Sequence, residues 1–380
     1  MSYNPLRSCK LYCTSCGKEY PLDYRGWSCN SCGSTLSITI NVSFVTRTSF
    51  YGKGYGVWRY RDVIPIDTRN IVSLGEGWTP IVERRVQGVN VIFKLEYLNP
   101  TGSFKDRGST VVVTRALSLN VKSVAEDSSG NTGLSIAAYG SLAGLNVRVY
   151  VPSDIPESKK AMLELYGAKV ILSGTRGDAA RRVIEELGED DYYIGHTWNP
   201  FFIEGTKTIA YEICEQLDWS LPDIVITPVA SGTLLLGFYK GLMELYEAGL
   251  INSIPRIIGV QAEGYTPIYN SLYGRERKGG KSSLADALRV PKPPRLHEIV
   301  SAIRRTGGDA IVVSDSEITI ALGRLIRMGF LVEPSSATVL AALSKALNEG
   351  IIDKGERVLL PLTGSGLKMI NKLYKLLSSS

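Results

Sequence analysis

Asp223-Ile224-Val225-Ile226-Thr227-Pro228-Val229-Ala230-Ser231-Gly232-Thr233-Leu234 reads as a short apolar strand, a glycine-bearing turn and the entry to a helix at Leu234. The same figure recurs from about Val72 onward. Residues 147–151, 169–172, 256–260 and 357–362 are further short apolar runs, each ending in a polar or glycine-bearing loop. Between them, residues 157–166, with Pro156 near the first turn, and residues 178–187 have helical periodicity. Strands alternating with helices predict an α/β fold of parallel sheets covered on both faces, with sites at the strand ends.

The first 61 residues are of another kind. They hold eight Lys or Arg against Glu19 and Asp23, which accounts for the whole formal charge of +6. The rest of the chain is balanced, so no basic face for nucleic acid is expected. Five of the six cysteines also lie here, and Cys13/Cys16 and Cys29/Cys32 form two CxxC pairs separated by twelve residues. Each pair can turn two thiolates toward one point, and together they predict a tetrahedral, structural zinc site with Gly17 and Gly33 at tight turns. Cys9 is left over. Residues 1–38 are read as this zinc ribbon and 39–71 as a connector arm, in which 36–50 alternates like a strand. Gly52, Gly54 and Gly56 do not make a phosphate loop, because bulky Trp58-Arg59-Tyr60-Arg61 follows instead of a helix pattern.

With 44% hydrophobic and 21% charged residues the chain has the balance of a folded globular protein, not a disordered one. No apolar run is long enough for a membrane span, and residues 1–10 lack the apolar core of a signal peptide, so a cytoplasmic protein is expected. There is no internal repeat or low-complexity segment beyond the serines at 378–380.

Four segments point to chemistry. In Asn99-Pro100-Thr101-Gly102-Ser103-Phe104-Lys105-Asp106-Arg107-Gly108 an extended segment delivers a lysine to a helix start, where positive backbone dipoles hold the amine neutral and nucleophilic. Ser128-Ser129-Gly130-Asn131-Thr132-Gly133 precedes the helical run 134–142; its small residues let amides approach a carboxylate, although plain helix capping reads the same way. Pro228 to Thr233 can cradle a phosphate with amides and the Ser231 and Thr233 hydroxyls, and the missing Gly-Lys-Ser/Thr excludes a nucleotide P-loop. In Leu362-Thr363-Gly364-Ser365-Gly366-Leu367-Lys368, Thr363 stands at a strand end and can offer a neutral hydroxyl to a ring nitrogen.

Together these segments resemble the β-family, or fold type II, of pyridoxal-phosphate (PLP) enzymes from residue 72 onward, and among its branches the threonine synthases. Leu74-Gly75-Glu76-Gly77-Trp78-Thr79-Pro80, Asn199-Pro200, Glu204-Gly205-Thr206-Lys207-Thr208, Gly259 to Gly264 and Glu333-Pro334-Ser335-Ser336-Ala337 carry the likeness further. Microbial members also show an N-terminal zinc ribbon. The resemblance implies two three-layer parallel-sheet domains of the tryptophan-synthase-β-like type: a large PLP domain at 72–108 and 200–380, and a small mobile domain at 109–199. It implies Lys105 as the Schiff-base lysine and proton carrier. Phe104, Asn131, Val229, Ala230, Ser231, Gly232, Thr233 and Thr363 would contact the cofactor. Ser129, Thr132, Thr197 and Lys207 would contact the substrate, Cys13, Cys16, Cys29 and Cys32 would hold structural Zn(2+), and a homodimer is a possible assembly that the sequence does not decide.

Some residues depart from that branch. Phe202 occupies the place of an arginine that binds the substrate's phosphate, and Phe cannot make a bidentate phosphate contact. His196-Thr197 replaces an Asn-Ser pair, the loop 230–235 is closer to that of threonine dehydratases, and Ser129 to Gly133 looks like cysteine synthases. Of the two histidines, His196 is read either as lining the substrate pocket or as a satisfied polar residue. The resemblance implies conversion of O-phosphohomoserine and water to threonine and phosphate. Dehydration or β-replacement on serine, threonine or phosphoserine is the alternative reaction, and a zinc-ribbon regulator with an inactive PLP fold is the alternative outside enzymes.

Overall fold

The computed structural model describes residues 9–277 and 279–378. Residues 1–8 of the expected ribbon, most of the segment read for a signal peptide, and Ser379 and Ser380 lie outside the described residues. The chain forms two compact units. One takes in the chain through Trp78 together with Lys105–Thr208, the other Thr79–Phe104 together with the chain from Ile209.

The second unit is built on a six-stranded sheet in the order Ala310–Val313, Arg256–Ala262, Ile224–Pro228, Arg357–Pro361, Val89–Lys94 and Ile81–Val86. All neighbours are parallel except the last pair, a hairpin turned at Gln87-Gly88, both at positive φ, which is the two-residue turn whose twist suits a hairpin. Ile224, Val225 and Ile226 are all buried, as a central strand covered on both faces demands. Each such side chain contributes about 1.5–3 kcal/mol through burial. The helix Thr233–Glu247 follows directly on the loop after Pro228. No proline or glycine interrupts Arg256 to Ala262 except Gly259, whose added Cβ would come 3.1 Å from Val229 Cγ1, so close strand and loop packing explains that residue.

The first unit contains a parallel four-stranded sheet ordered Lys169–Leu172, Asn146–Val151, Ser123–Glu126 and Asp191–Tyr193, and the antiparallel three-stranded ribbon sheet of Glu19–Tyr20, Cys9–Cys13 and Leu36–Ile40. The strand expected over 36–50 ends at Ile40, because the Asn41 side chain accepts the Ser43 amide and turns the chain, and a capping box at Thr46 then starts a 3-10 turn, Arg47–Phe50. The connector segment 39–71 packs onto the same unit. Its 3-10 helix Val57–Val63 buries Val57, Tyr60 and Val63, and Trp58 Nε1 donates to Thr110 Oγ1 at 2.8 Å. The ribbon is tied down as well: Arg115 donates to the Tyr24 carbonyl at 3.0 Å, and Trp27 packs edge-on against Trp198 at 4.8 Å.

The units divide at 78/79, 104/105 and 208/209, where the sequence reading drew lines at 71/72, 108/109 and 199/200. The difference has a packing cause. Helices Lys105–Ser118 and Pro200–Thr206 lie so close that a Cβ on Gly205 would stand 2.0 Å from the Arg107 carbonyl oxygen, which keeps both in the ribbon's unit. No helix among the described residues is long and apolar enough to cross a membrane.

Candidate active site

In the second unit the residues ending at Phe104 are stitched to the segment after Leu362. The Phe104 amide donates to the Thr363 carbonyl at 3.1 Å, the Ser365 amide to the Gly102 carbonyl at 2.9 Å, and Ser103 bridges Gly364. Gly102, at φ +77, makes the tight turn that permits this. Thr363 is buried, its hydroxyl 2.9 Å from Ser336 Oγ, which itself accepts the Gly364 amide at 2.8 Å. Ser336 belongs to the stretch Glu333-Pro334-Ser335-Ser336-Ala337. Its role in holding Thr363 is a neighbour relation across 27 residues that local spacing does not reveal.

Val229 to Thr233 close the end of the central strand. Gly232 sits at φ +91 as the N-cap of the helix Thr233–Glu247, one residue earlier than the helix entry read at Leu234. A Cβ there would lie 2.3 Å from Ile299 Cδ1, so glycine is required twice, for conformation and for space. The first amides of this helix have no partner within it, and with the buried Ser231 and Thr233 hydroxyls they form a donor set suited to a phosphate. The Val229 amide is spent on the Val260 carbonyl at 2.8 Å.

In the first unit Lys105 is the first residue of the helix Lys105–Ser118. Its Nζ lies 5.6 Å from the centroid of the Phe202 ring, and Phe202 is fully buried under Gly108, where a Cβ would meet the ring at 2.4 Å. Asn131 begins the helix Asn131–Leu142, with Ser129 just ahead of its N-cap Gly130 and Thr132 buried in its first turn. A Cβ at Gly133 would come 1.9 Å from the Ser128 carbonyl oxygen, so the turn closes only around glycine. Thr197 is partly exposed beside His196.

Lys207, expected at the substrate, is fully buried, and its ammonium stands 2.6 Å from the Glu204 carboxylate. Its charge is therefore balanced inside the protein. Two acids outside the motifs named above, Glu126 and Asp127, lie in the same unit, and the Lys105 charge acts on the first of them. Glu126, at the end of the strand Ser123–Glu126, is fully buried, and burial first, then the neighbouring Asp127, pushes its carboxyl well above the ordinary range. Glu126 Oε1 is 3.1 Å from His196 Nδ1. Burial, with the Lys105 charge adding to it, holds that imidazole neutral. Asp127, also raised by burial, accepts the Tyr193 hydroxyl at 2.8 Å. An acidic pair at a strand end immediately before a glycine-rich helix start was the available signal.

The four thiols Cys13, Cys16, Cys29 and Cys32 have Sγ atoms all within 4.8 Å of one another; Cys9 is not among them. Two matching knuckles build this. Gly17 and Gly33, at φ +73 and +72, donate their amides to the carbonyls of Cys13 and Cys29 at 3.1 and 2.8 Å. The Cys13–Cys32 and Cys16–Cys29 sulfur separations of 3.4 and 3.6 Å are near the edge of about 3.8 Å that tetrahedral Zn–S bonds of about 2.3 Å produce. Tyr20 donates to Cys29 Sγ at 3.0 Å, the main cause of that thiol being lowered to about 5.

A family described as pyridoxal-phosphate dependent enzymes matches residues 72–364, more than half of the chain. The chain belongs to that family. Within the pyridoxal-phosphate dependent enzymes, it is 39% identical over 373 residues to a threonine synthase of Methanocaldococcus jannaschii, covering 94% of this chain and 92% of that protein. It is 35% identical to a threonine synthase of Methanosarcina acetivorans with the same coverage. The fold is shared with an L-serine ammonia-lyase of Rhizomucor miehei, at TM-score 0.66 and 22% identity over 78% of this chain and 96% of that one. The α/β architecture of parallel sheets is thus that of tryptophan-synthase-β-like fold type II enzymes. Each unit by itself carries donors that fit the family's cofactor: the first an amine at a helix head, the second a hydroxyl fixed by Ser336 and a Ser/Thr/Gly helix start able to take a phosphate without a cation.

Proposed function

We propose that this chain is a threonine synthase, which converts O-phosphohomoserine and water to threonine and phosphate. The observation that carries the proposal is a lysine at the head of a helix in a chain alike over 94% of its length to a threonine synthase. In this reading Lys105 carries the cofactor, Asn131 contacts its 3-oxygen, Phe104 lies beside it, and Val229, Ala230, Ser231, Gly232 and Thr233 surround its phosphate. Bound, the cofactor withdraws electrons from the substrate's α-carbon. Lys105 Nζ moves the proton there. Thr363, a neutral hydroxyl steadied by Ser336, contacts the ring nitrogen without holding it fully protonated, a setting that favours elimination and replacement. Ser129 and Thr132, at a helix start, receive the substrate carboxylate, with Thr197 nearby in sequence to His196.

Cys13, Cys16, Cys29 and Cys32 are proposed to hold structural zinc, supported by their mutual distances. A reducing compartment, the cytoplasm, would keep these thiols available. The uncharged, buried Phe202 favours a second reading, dehydration of threonine or serine. One assay separates the two. The purified holoenzyme is given O-phosphohomoserine, O-phosphoserine and threonine side by side; phosphate and threonine released only from the first support the proposal, and 2-oxobutanoate from threonine without phosphate release from the others overturns it.

A further inference from the structure

Glu126 and His196 stand 70 positions apart in sequence and meet at 3.1 Å beside Lys105. A buried polar pair kept for structure alone satisfies both partners. This one does not. Glu126 Oε2 is fully buried and has no hydrogen-bond partner among the described residues. Leaving such an acceptor unpaired opposes folding. The imidazole is engaged through Nδ1, its side chain is 19% exposed, and its ring packs edge-on against Phe202 at 5.8 Å. Lys105 Nζ lies over the same Phe202 ring, so His196 and the lysine flank one side chain. A neutral carboxyl donates its O–H to Nδ1, and a neutral imidazole so engaged carries its hydrogen on Nε2, pointing away from Glu126. Burial pushes the Glu126 carboxyl well above its ordinary range, Asp127 adding to this and Lys105 opposing it, and burial with the Lys105 charge pushes the imidazole well below its own.

We propose that His196 Nε2–H binds the anionic oxygens of the substrate's leaving phosphate, and that Glu126 is the positioning residue that holds the imidazole in the tautomer and orientation this needs. The proposal rests on the reading of the chain as a threonine synthase and names the contact made by that site's leaving group. A neutral donor suits the task beside a lysine, because a second cation there would repel the first and compete for the anion. His196 contributes hydrogen bonding where Phe202 offers no charge and Lys207 is already paired with Glu204.

The test uses inorganic phosphate and the holoenzyme, with the two histidines labelled at their ring nitrogens. His297, exposed on the helix Leu296–Arg305, is the other signal and is assigned by a His297→Gln variant. Phosphate is expected to shift the His196 Nε2 resonance saturably, and that resonance should report the Nε2–H tautomer. A His196→Phe variant, which keeps a ring of similar size but has no N–H donor, should bind phosphate about ten- to a hundred-fold more weakly, the range for a hydrogen bond to a charged group. The same variant should lose kcat on O-phosphohomoserine more than it raises KM, and His196→Gln, whose amide reaches toward the Nε2 position, should recover part of both. Glu126→Leu should mix the tautomers of His196. A wild-type His196 signal indifferent to phosphate overturns the proposal without reference to any variant, as does a folded His196→Phe enzyme with unchanged phosphate affinity. Phosphate bound at His196 by a protein that does not turn over O-phosphohomoserine would uphold the contact and overturn the threonine synthase reading instead.

Discussion

Replacing Lys207 by methionine removes the cation of a pair in which both side chains are buried, Lys207 at 0% and Glu204 at 1% exposure. What remains is a carboxylate without its counter-ion in a site that excludes water. Breaking a buried pair from one side costs about 3–5 kcal/mol, whereas replacing both partners by apolar residues is often neutral. Spread over the unfolding entropy of a chain of this length, that loss lowers Tm by about 4–6 °C if the whole protein unfolds together, and by about twice that if the first unit unfolds alone. Thermal unfolding of Lys207→Met, Glu204→Leu and the double variant measures it. The singles should be destabilised, the double should recover most of the loss, and kcat/KM should fall by a similar factor on phosphorylated and unphosphorylated amino acids. A Lys207→Met protein with unchanged Tm that loses about 2–4 kcal/mol of transition-state binding only on O-phosphohomoserine would refute this reasoning and put the ammonium on the substrate's phosphate.

Lys105→Ala should abolish turnover and covalent attachment of the cofactor while leaving far-ultraviolet circular dichroism unchanged, since one amine serves both linkage and proton transfer; a variant with near-wild-type rate sinks the assignment. Metal analysis should find about one zinc per chain, and chelation should lower the melting temperature before it lowers the rate, because the ribbon has little core of its own but is docked through Tyr24 and Trp27. Metal-free protein of unaltered stability would count against a zinc ribbon. Glu126→Gln should raise Tm near neutral pH and do so progressively less as pH falls toward the ordinary carboxyl value of 4.5. The folded protein holds the Glu126 proton where the unfolded chain releases it, so Glu126 opposes folding increasingly as pH rises above that value, and an amide abolishes the opposition. A stabilisation constant with pH, or a loss, contradicts the neutral-acid assignment.

Much of this protein is local and therefore legible in its sequence. Strand, glycine turn and helix follow one another within about a dozen residues at Ile224 to Leu234, and periodicity over such windows is set by each residue's neighbours in the chain. The two CxxC knuckles are equally local, since each closes on a glycine one residue past its second cysteine. Lys105 at a helix head was readable from the extended Asn99-Pro100 segment that leads to it. The tertiary structure alone decided what those windows meet. The strand read over 36–50 ended at Ile40 because a side-chain turn competed with alternation, a contest that a hydrophobic pattern does not record. Phe202, Glu126 and Lys207 look like ordinary apolar, acidic and basic residues in sequence. Burial beneath Gly108, contact with His196 across 70 residues and pairing with Glu204 away from water set their charge and chemistry, and burial depends on every chain segment that packs around a residue rather than on those beside it in sequence.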